Sequence, residues 1–149
     1  MLFQFEVNGD VPGWRERFLA LHPAAPEVSE YGIRIVVGVL GSRERLDAMI
    51  QAHTANWTLD RMARVDRNIL RIAAFEALNQ PEIPLPVALN EAIEVAKRFG
   101  DEKSSAFVNG VLDHMMRTEP ALEPRRHEIH PSPAVTAAAA PHPPESEGE

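Results

Sequence analysis

The residues best suited to chemistry lie in one short stretch, Phe99-Gly100-Asp101-Glu102-Lys103-Ser104-Ser105-Ala106-Phe107. Two aromatic rings and a lysine surround a break that reads as a junction between helices. Rings of this kind stack on unpaired bases while a cation holds a phosphate. The N–H groups at the start of the following helix offer a further phosphate contact. Both rings also fit the apolar faces of their helices, where they would be core. The chemistry on offer is binding. The absence of cysteine excludes thiolate nucleophiles, disulfides and Cys-ligated zinc. The sequence holds no phosphate-cradling glycine loop, no HExxH and no GxSxG, and its Asp and Glu residues are spread over helix faces. Neither an enzyme nor a cofactor is expected. His127 and His130 have a metal-like spacing, but a proline-rich coil gives them no preorganised geometry, so no metal site is expected.

Such residues need a scaffold. With 149 residues, 44% apolar and 25% charged, the chain suits one compact domain. No apolar run approaches the roughly 18 residues of a membrane helix. Met1 opens into LFQFEV without the basic-then-apolar order of a signal peptide, so a cytoplasmic protein is expected. The net charge of -7 gives no support for nonspecific nucleic-acid binding. Its distribution matters more: residues 118–149 hold six acidic side chains against Arg125 and Arg126, so they carry -4 and residues 1–117 only -3. The body can therefore present a local basic face.

The body reads as helices separated by short breaks, with no alternation long enough for a sheet. Met1–Val7 is a short apolar helix stopped by Asn8-Gly9-Asp10, and Trp14, Phe18, Leu19 and Leu21 mark a second, ended by prolines. Glu27–Leu40 places Tyr31, Ile35, Val39 and Leu40 on one face. Leu46, Met49, Ile50 and His53 form the stripe of an amphipathic helix over Arg43–Ala55, with His53 as a packing residue. The longest helix is expected over Leu59–Leu78, buried over much of its girth. Arg64, Arg67 and Arg71 form a stripe on it that Asp60 and Asp66 would partly neutralise at the surface. Val87–Phe99 and Ser104–Arg117 complete the body. Gly110 falls inside the last of these, where a glycine costs about 1 kcal/mol against alanine and implies close helix approach or a functional reason. Residues 118–149 contain seven prolines and few large apolar side chains, so disorder is expected from Thr118 onward.

The segment VDRNILRIAAFEALNQPEIPLPVALNEAIEVAKRFGDEKSSAFVNGVLDHMMR, Val65–Arg117, resembles the C-terminal half of NusB proteins. The motifs are ILRIAAFE, IPLPVALNEAIEVAKRFG and FVNGVLD, in order. LFQFEV, YGIRIVVGV and RLDAMI extend the resemblance over residues 1–117. It implies an all-α fold of two packed three-helix subdomains, with residues 118–149 as a separate tail. It also implies transcription antitermination in ribosomal RNA operons, through boxA-type single-stranded RNA bound together with the small-subunit ribosomal protein NusE in the transcription elongation complex. By the same resemblance, RNA contacts are expected at Phe3, Phe99, Gly100, Lys103 and Phe107, and a contact to the protein partner at Glu76 in AAFEALN. Lys103 departs from relatives that carry an acidic residue there, which favours phosphate.

A second departure lies at the start. The family carries an arginine-rich run before the LFQFE-like helix, and this chain begins inside that helix. An upstream start codon is the expected explanation; the alternative is a weakened electrostatic grip on RNA. The competing function is a helical protein-interaction module that keeps the fold and has weakened or lost RNA binding. An rRNA methyltransferase with a NusB-like N-terminal module does not fit the length.

Overall fold

The computed structural model describes residues 1–129, and every regular element among them is helical. The helices are α1 (Leu2–Asn8), α2 (Trp14–Leu21), α3 (Pro26–Gly41), α4 (Arg43–Ala52), α5 (Arg64–Asn79), α6 (Leu85–Phe99) and α7 (Ser104–Thr118), with 3-10 segments at Leu59–Arg61 and Pro120–Glu128. Helices α5, α6 and α7 pack against one another, while α1, α3 and α4 pack against α5. This is the expected two-part arrangement, with α5 shared by both parts. Its apolar spacing explains the sharing. Ile69, Leu70, Ala73, Ala74, Phe75 and Ala77 are all buried, so the helix has apolar surface to give to both sides.

One core runs through the molecule. Val39 of α3, Leu46 and Ile50 of α4, Leu70 of α5, Ala96 of α6 and Val108, Leu112 and Met115 of α7 are fully buried in it. Helix α2 contributes no buried residue and stays peripheral.

Several expectations change in three dimensions. Helix α5 starts at Arg64, not Leu59: Leu59–Arg61 forms a 3-10 turn, and Met62 and Ala63 are extended. Met62 is buried by that kink. Of the arginine stripe only Arg64 is exposed. Arg71 is buried and Arg67 half-buried, and their partners are Glu6 of α1 and Asp47 of α4, not Asp60 and Asp66. His53 closes α4, and its Nε2 lies 2.9 Å from the Glu119 carboxylate. Gly110 does not mark a close helix approach, since a Cβ there would meet nothing within 4 Å. That approach occurs at Gly38 of α3, where a Cβ would fall 2.1 Å from Cζ of Phe75 in α5.

Disorder from Thr118 onward does not describe residues 118–129. Leu122 is buried beside Ala77, Leu85, Ala88 and Met116. Arg125 donates to the carbonyls of Ala77 (2.8 Å) and Ile83 (2.5 Å), and Glu128 accepts from the Leu85 N–H at 2.7 Å. These backbone groups lie at the end of α5, in the α5–α6 turn and at the start of α6, where helices leave donors and acceptors unmet. Satisfying them offsets the ordering entropy that composition alone says cannot be met. Residues 130–149, including His130, lie outside the described residues.

Two predictions follow from this packing. Gly38→Ala should destabilise the protein by about 1–3 kcal/mol, because the buried Phe75 ring must move, whereas Gly110→Ala should stabilise it by up to about 1 kcal/mol. Chemical denaturation of both variants tests the pair. The second concerns Glu128, whose carboxyl is held below the usual range by Arg125, against the opposing effect of burial, with help from the Leu85 N–H. A depressed folded value means that this stabilisation is present above the ordinary carboxylate range and is lost as pH falls through the folded value. Glu128→Gln should therefore lose about 1 kcal/mol at neutral pH and nothing at pH values where both forms are uncharged, as read from unfolding midpoints across pH.

Candidate nucleic-acid interface

The α6–α7 junction is built by steric fit and by a small hydrogen-bond circuit. Gly100 ends α6 with ordinary extended backbone, yet a Cβ there would lie 2.3 Å from the Ser104 side chain and 2.8 Å from the Ala96 carbonyl. Only glycine lets the chain turn this closely over buried Ser104. Asp101 then closes the start of α7. Its N–H donates to Ser104 Oγ at 3.0 Å, and its Oδ1 accepts from the Lys103 N–H at 2.8 Å and from Ser104 Oγ at 3.3 Å. The Ser104 N–H donates to the Asp101 carbonyl. Two of the N–H groups at the start of α7 are thus already used, that of Lys103 by the Asp101 carboxylate and that of Ser104 by the Asp101 carbonyl. The Lys103 side chain is exposed at this junction.

The predicted residues separate into distinct places. Lys103 and Phe107 share the wall of one depression of about 410 Å³, together with Trp57, Arg61, Met62, Ala63, Asp66 and Asp101. Phe107 also packs against the core, as its apolar-face reading expects, while one side of it lines the depression. Phe99 is 62% exposed, which removes the core reading for this ring, and the Arg98 guanidinium lies 5.3 Å from its centroid. An exposed ring beside a cation suits base stacking. Phe3 is 49% exposed on α1 and does not line the depression.

Trp57, Arg61 and Asp66 were missed by sequence reasoning. Trp57 is half exposed in the loop before α5. Its carbonyl accepts from Gln51 Nε2 (3.0 Å) and Thr54 Oγ1 (3.1 Å), so the loop is pinned. A tryptophan in a break between helices was the available signal. Asp66 was read only as a neighbour of the arginines.

Glu76 lies farther along α5, on a separate groove of about 450 Å³ lined by Tyr31, Ile69, Ile72, Ile83, Val87, Glu91 and Val95, among others. The Tyr31 hydroxyl donates to its Oε1 at 2.6 Å. Burial and this carboxylate push the Tyr31 phenol well above its usual range. Glu76 is therefore a fixed acceptor beside apolar surface, not a freely solvated carboxylate. Val87 and Val95 remain exposed.

Among the described residues no cluster of three or more His, Asp or Glu could hold a metal, and no helix is long and apolar enough to cross a membrane. The described residues form an all-helical fold with an aromatic and cationic junction and a separate apolar groove. A sequence model of the NusB family matches residues 1–117, and the chain belongs to that family.

Relatives agree. The chain is 46% identical over 121 residues to a transcription antitermination protein NusB of Sorangium cellulosum, covering 77% of this chain and 83% of that one. It is 55% identical over 82 residues to the transcription antitermination protein NusB of Bacillus subtilis, covering 55% of this chain and 63% of the relative, just under two thirds. In structure it is similar to T. maritima NusB, with a TM-score of 0.69 and 36% identity over 78% of this chain and 83% of that one. It is also similar to a chain in a crystal structure of the antitermination factors NusB and NusE in complex with dsRNA. There the TM-score is 0.68 and the identity 25%, over 78% of this chain and 87% of that one.

The placement of Lys103 yields a direct expectation. Lys103→Glu should weaken RNA binding about tenfold at low salt and reduce the salt dependence of the remaining affinity by about one ion, without changing thermal stability. Titration of a labelled single-stranded RNA at several salt concentrations measures both; an unchanged affinity and slope would remove Lys103 from the interface.

Proposed function

We propose that this chain is a transcription antitermination factor. It binds boxA-type single-stranded RNA jointly with the ribosomal protein NusE, in the cytoplasm and as part of the transcription elongation complex, and it catalyses nothing. The observation that carries this reading is membership of the NusB family over residues 1–117. Likeness to a chain in a structure of NusB and NusE with dsRNA supports joint binding of RNA and NusE. So does the separation of two surfaces on one rigid helix. The junction around Phe99, Gly100, Lys103 and Phe107, with Phe3 on α1, is the RNA side, and the groove around Glu76 is the protein side. A ribosomal protein that binds RNA carries basic side chains, and a carboxylate held in place by Tyr31 is a suitable anchor for one of them.

One observation favours the alternative of an interaction module with weakened RNA binding. In the depression, Lys103 and Arg61 stand beside Asp66 and Asp101, so its formal charge is balanced. Fluorescence anisotropy separates the two readings, using a labelled boxA-type RNA with this chain alone and with NusE, over a range of salt. The pair should bind more tightly than either component and prefer boxA over scrambled RNA; tight NusE binding with no RNA affinity would establish the alternative. Glu76→Lys should weaken the complex with NusE by at least tenfold and leave RNA binding by the chain alone unchanged. Calorimetry of the two proteins provides that check.

A further inference from the structure

The depression beside the α6–α7 junction contains a group that the reading so far leaves without a task. Asp66 is only 7% exposed, and its Oδ1 is buried without a hydrogen-bond partner. Asp66 belongs to the first turn of α5, where the helix dipole favours a negative charge. That attraction explains the sign of the residue but supplies no donor to the bare oxygen. A buried acceptor without a donor is uncommon in a folded protein and calls for an explanation, of which a ligand that supplies the donor is one. Its nearest anionic neighbour on the same wall is different in kind. Asp101 spends its Oδ1 on the Lys103 N–H and Ser104 Oγ. Asp66 is the carboxylate here with a buried oxygen left unpartnered.

The rest of the wall defines what could supply the donor. Trp57 is 53% exposed and pinned through its carbonyl, and Phe107 is braced against the core, so two aromatic faces border the same space. Arg61 and Lys103 are cations on its rim. Aromatic faces, cations and a buried acceptor together match a nucleotide: base against rings, phosphate against cations, and the base edge toward the carboxylate. We propose that this depression is a base-reading pocket for an unpaired guanine, with Asp66 as the specificity-determining residue. The proposal rests on the RNA-binding reading above and names the part of the RNA that this site takes.

The choice of guanine follows from hydrogen-bond inventory. An ionised carboxylate only accepts. Guanine presents two adjacent donors, N1–H and the N2 amine, which a carboxylate can accept side by side. Adenine and cytosine set their amine beside a ring nitrogen acceptor that would repel the second oxygen. Uracil has one N–H between two carbonyls. The cations on the rim offset the repulsion between Asp66 and the backbone phosphates, so the carboxylate selects a base without expelling the strand.

The test uses the full chain together with NusE and four labelled eleven-nucleotide RNAs. Three are oligouridines carrying guanosine, inosine or adenosine at the central position, and the fourth is uridine throughout. The guanosine RNA should bind about tenfold more tightly than the all-uridine one, and inosine, which lacks only the N2 amine, should lose most of that gain. Asp66→Asn should abolish the preference, so that the guanosine and all-uridine RNAs bind alike. The inosine comparison needs no variant and stands even if Asp66→Asn does not fold. Equal affinity for all four RNAs, or a preference for adenosine, would overturn the pocket but leave RNA binding intact. A uniform loss on all RNAs in Asp66→Asn would assign the residue to the fold and also overturn it. No binding of any RNA by the pair would overturn both this inference and the RNA-binding reading.

Discussion

The structure depends on how a buried guanidinium is paired. Arg71 points from the most buried helix into the seam where α1 and α4 meet α5. Its Nε and Nη2 donate to the two oxygens of Asp47 at 2.6 and 2.8 Å, and its Nη1 donates to Glu6. Burial pulls the guanidinium toward losing its proton, but Asp47 and Glu6 together outweigh that and hold it charged. Arg67 shares Glu6, and Asn68 donates to the same carboxylate. Such a network adds little net stability, because desolvating the ions costs nearly what their attraction returns. Its value is specificity. Leaving one member unpaired costs about 3–5 kcal/mol, so α1 and α4 have a defined register against α5 and apolar packing need not choose it alone.

With α5 held in this way, both of its ends become places where other parts of the chain meet. At its start, the kink through Met62 and Ala63 brings the Trp57 loop toward the α6–α7 junction and places Asp66 on the wall between them. At its end, Arg125 of the C-terminal 3-10 segment takes the Ala77 carbonyl, and Glu128 takes the Leu85 N–H across the turn. The groove at Glu76 lies between, where α5 faces α3 and α6. One rigid helix therefore separates an aromatic and cationic surface from an apolar and acidic one. Ligands on these two surfaces would not have to displace each other.

Period and punctuation in the chain made the helices legible. The apolar rows of α4 to α7 and the breaks at Gly41, Pro81, Pro84 and Gly100 placed them to within a few residues, because helical spacing is a local property and proline and glycine act locally. The motifs from ILRIAAFE to FVNGVLD located the junction at Phe99–Phe107 and the position of Glu76. The exposure of Phe99 and the partial burial of Phe107 were not legible, since both rings fit an apolar stripe equally well.

The errors share a cause. Arg67 and Arg71 were assigned near neighbours in sequence, whereas their carboxylates come from Glu6 and Asp47, 24 to 65 residues away. Residues 118–129 looked unable to order because their partners at Ala77, Ile83 and Leu85 lie 42 to 48 residues back. Gly110 looked like a packing glycine, but the contact belongs to Gly38. The sequence by itself determined the helices, their order and the family, because these follow from local spacing and motif. Only the tertiary structure decided which charges meet, which helix ends are satisfied by distant groups, and which buried oxygen is left without a donor. Those are questions of distance between residues far apart in the chain, and composition and period carry no information about them.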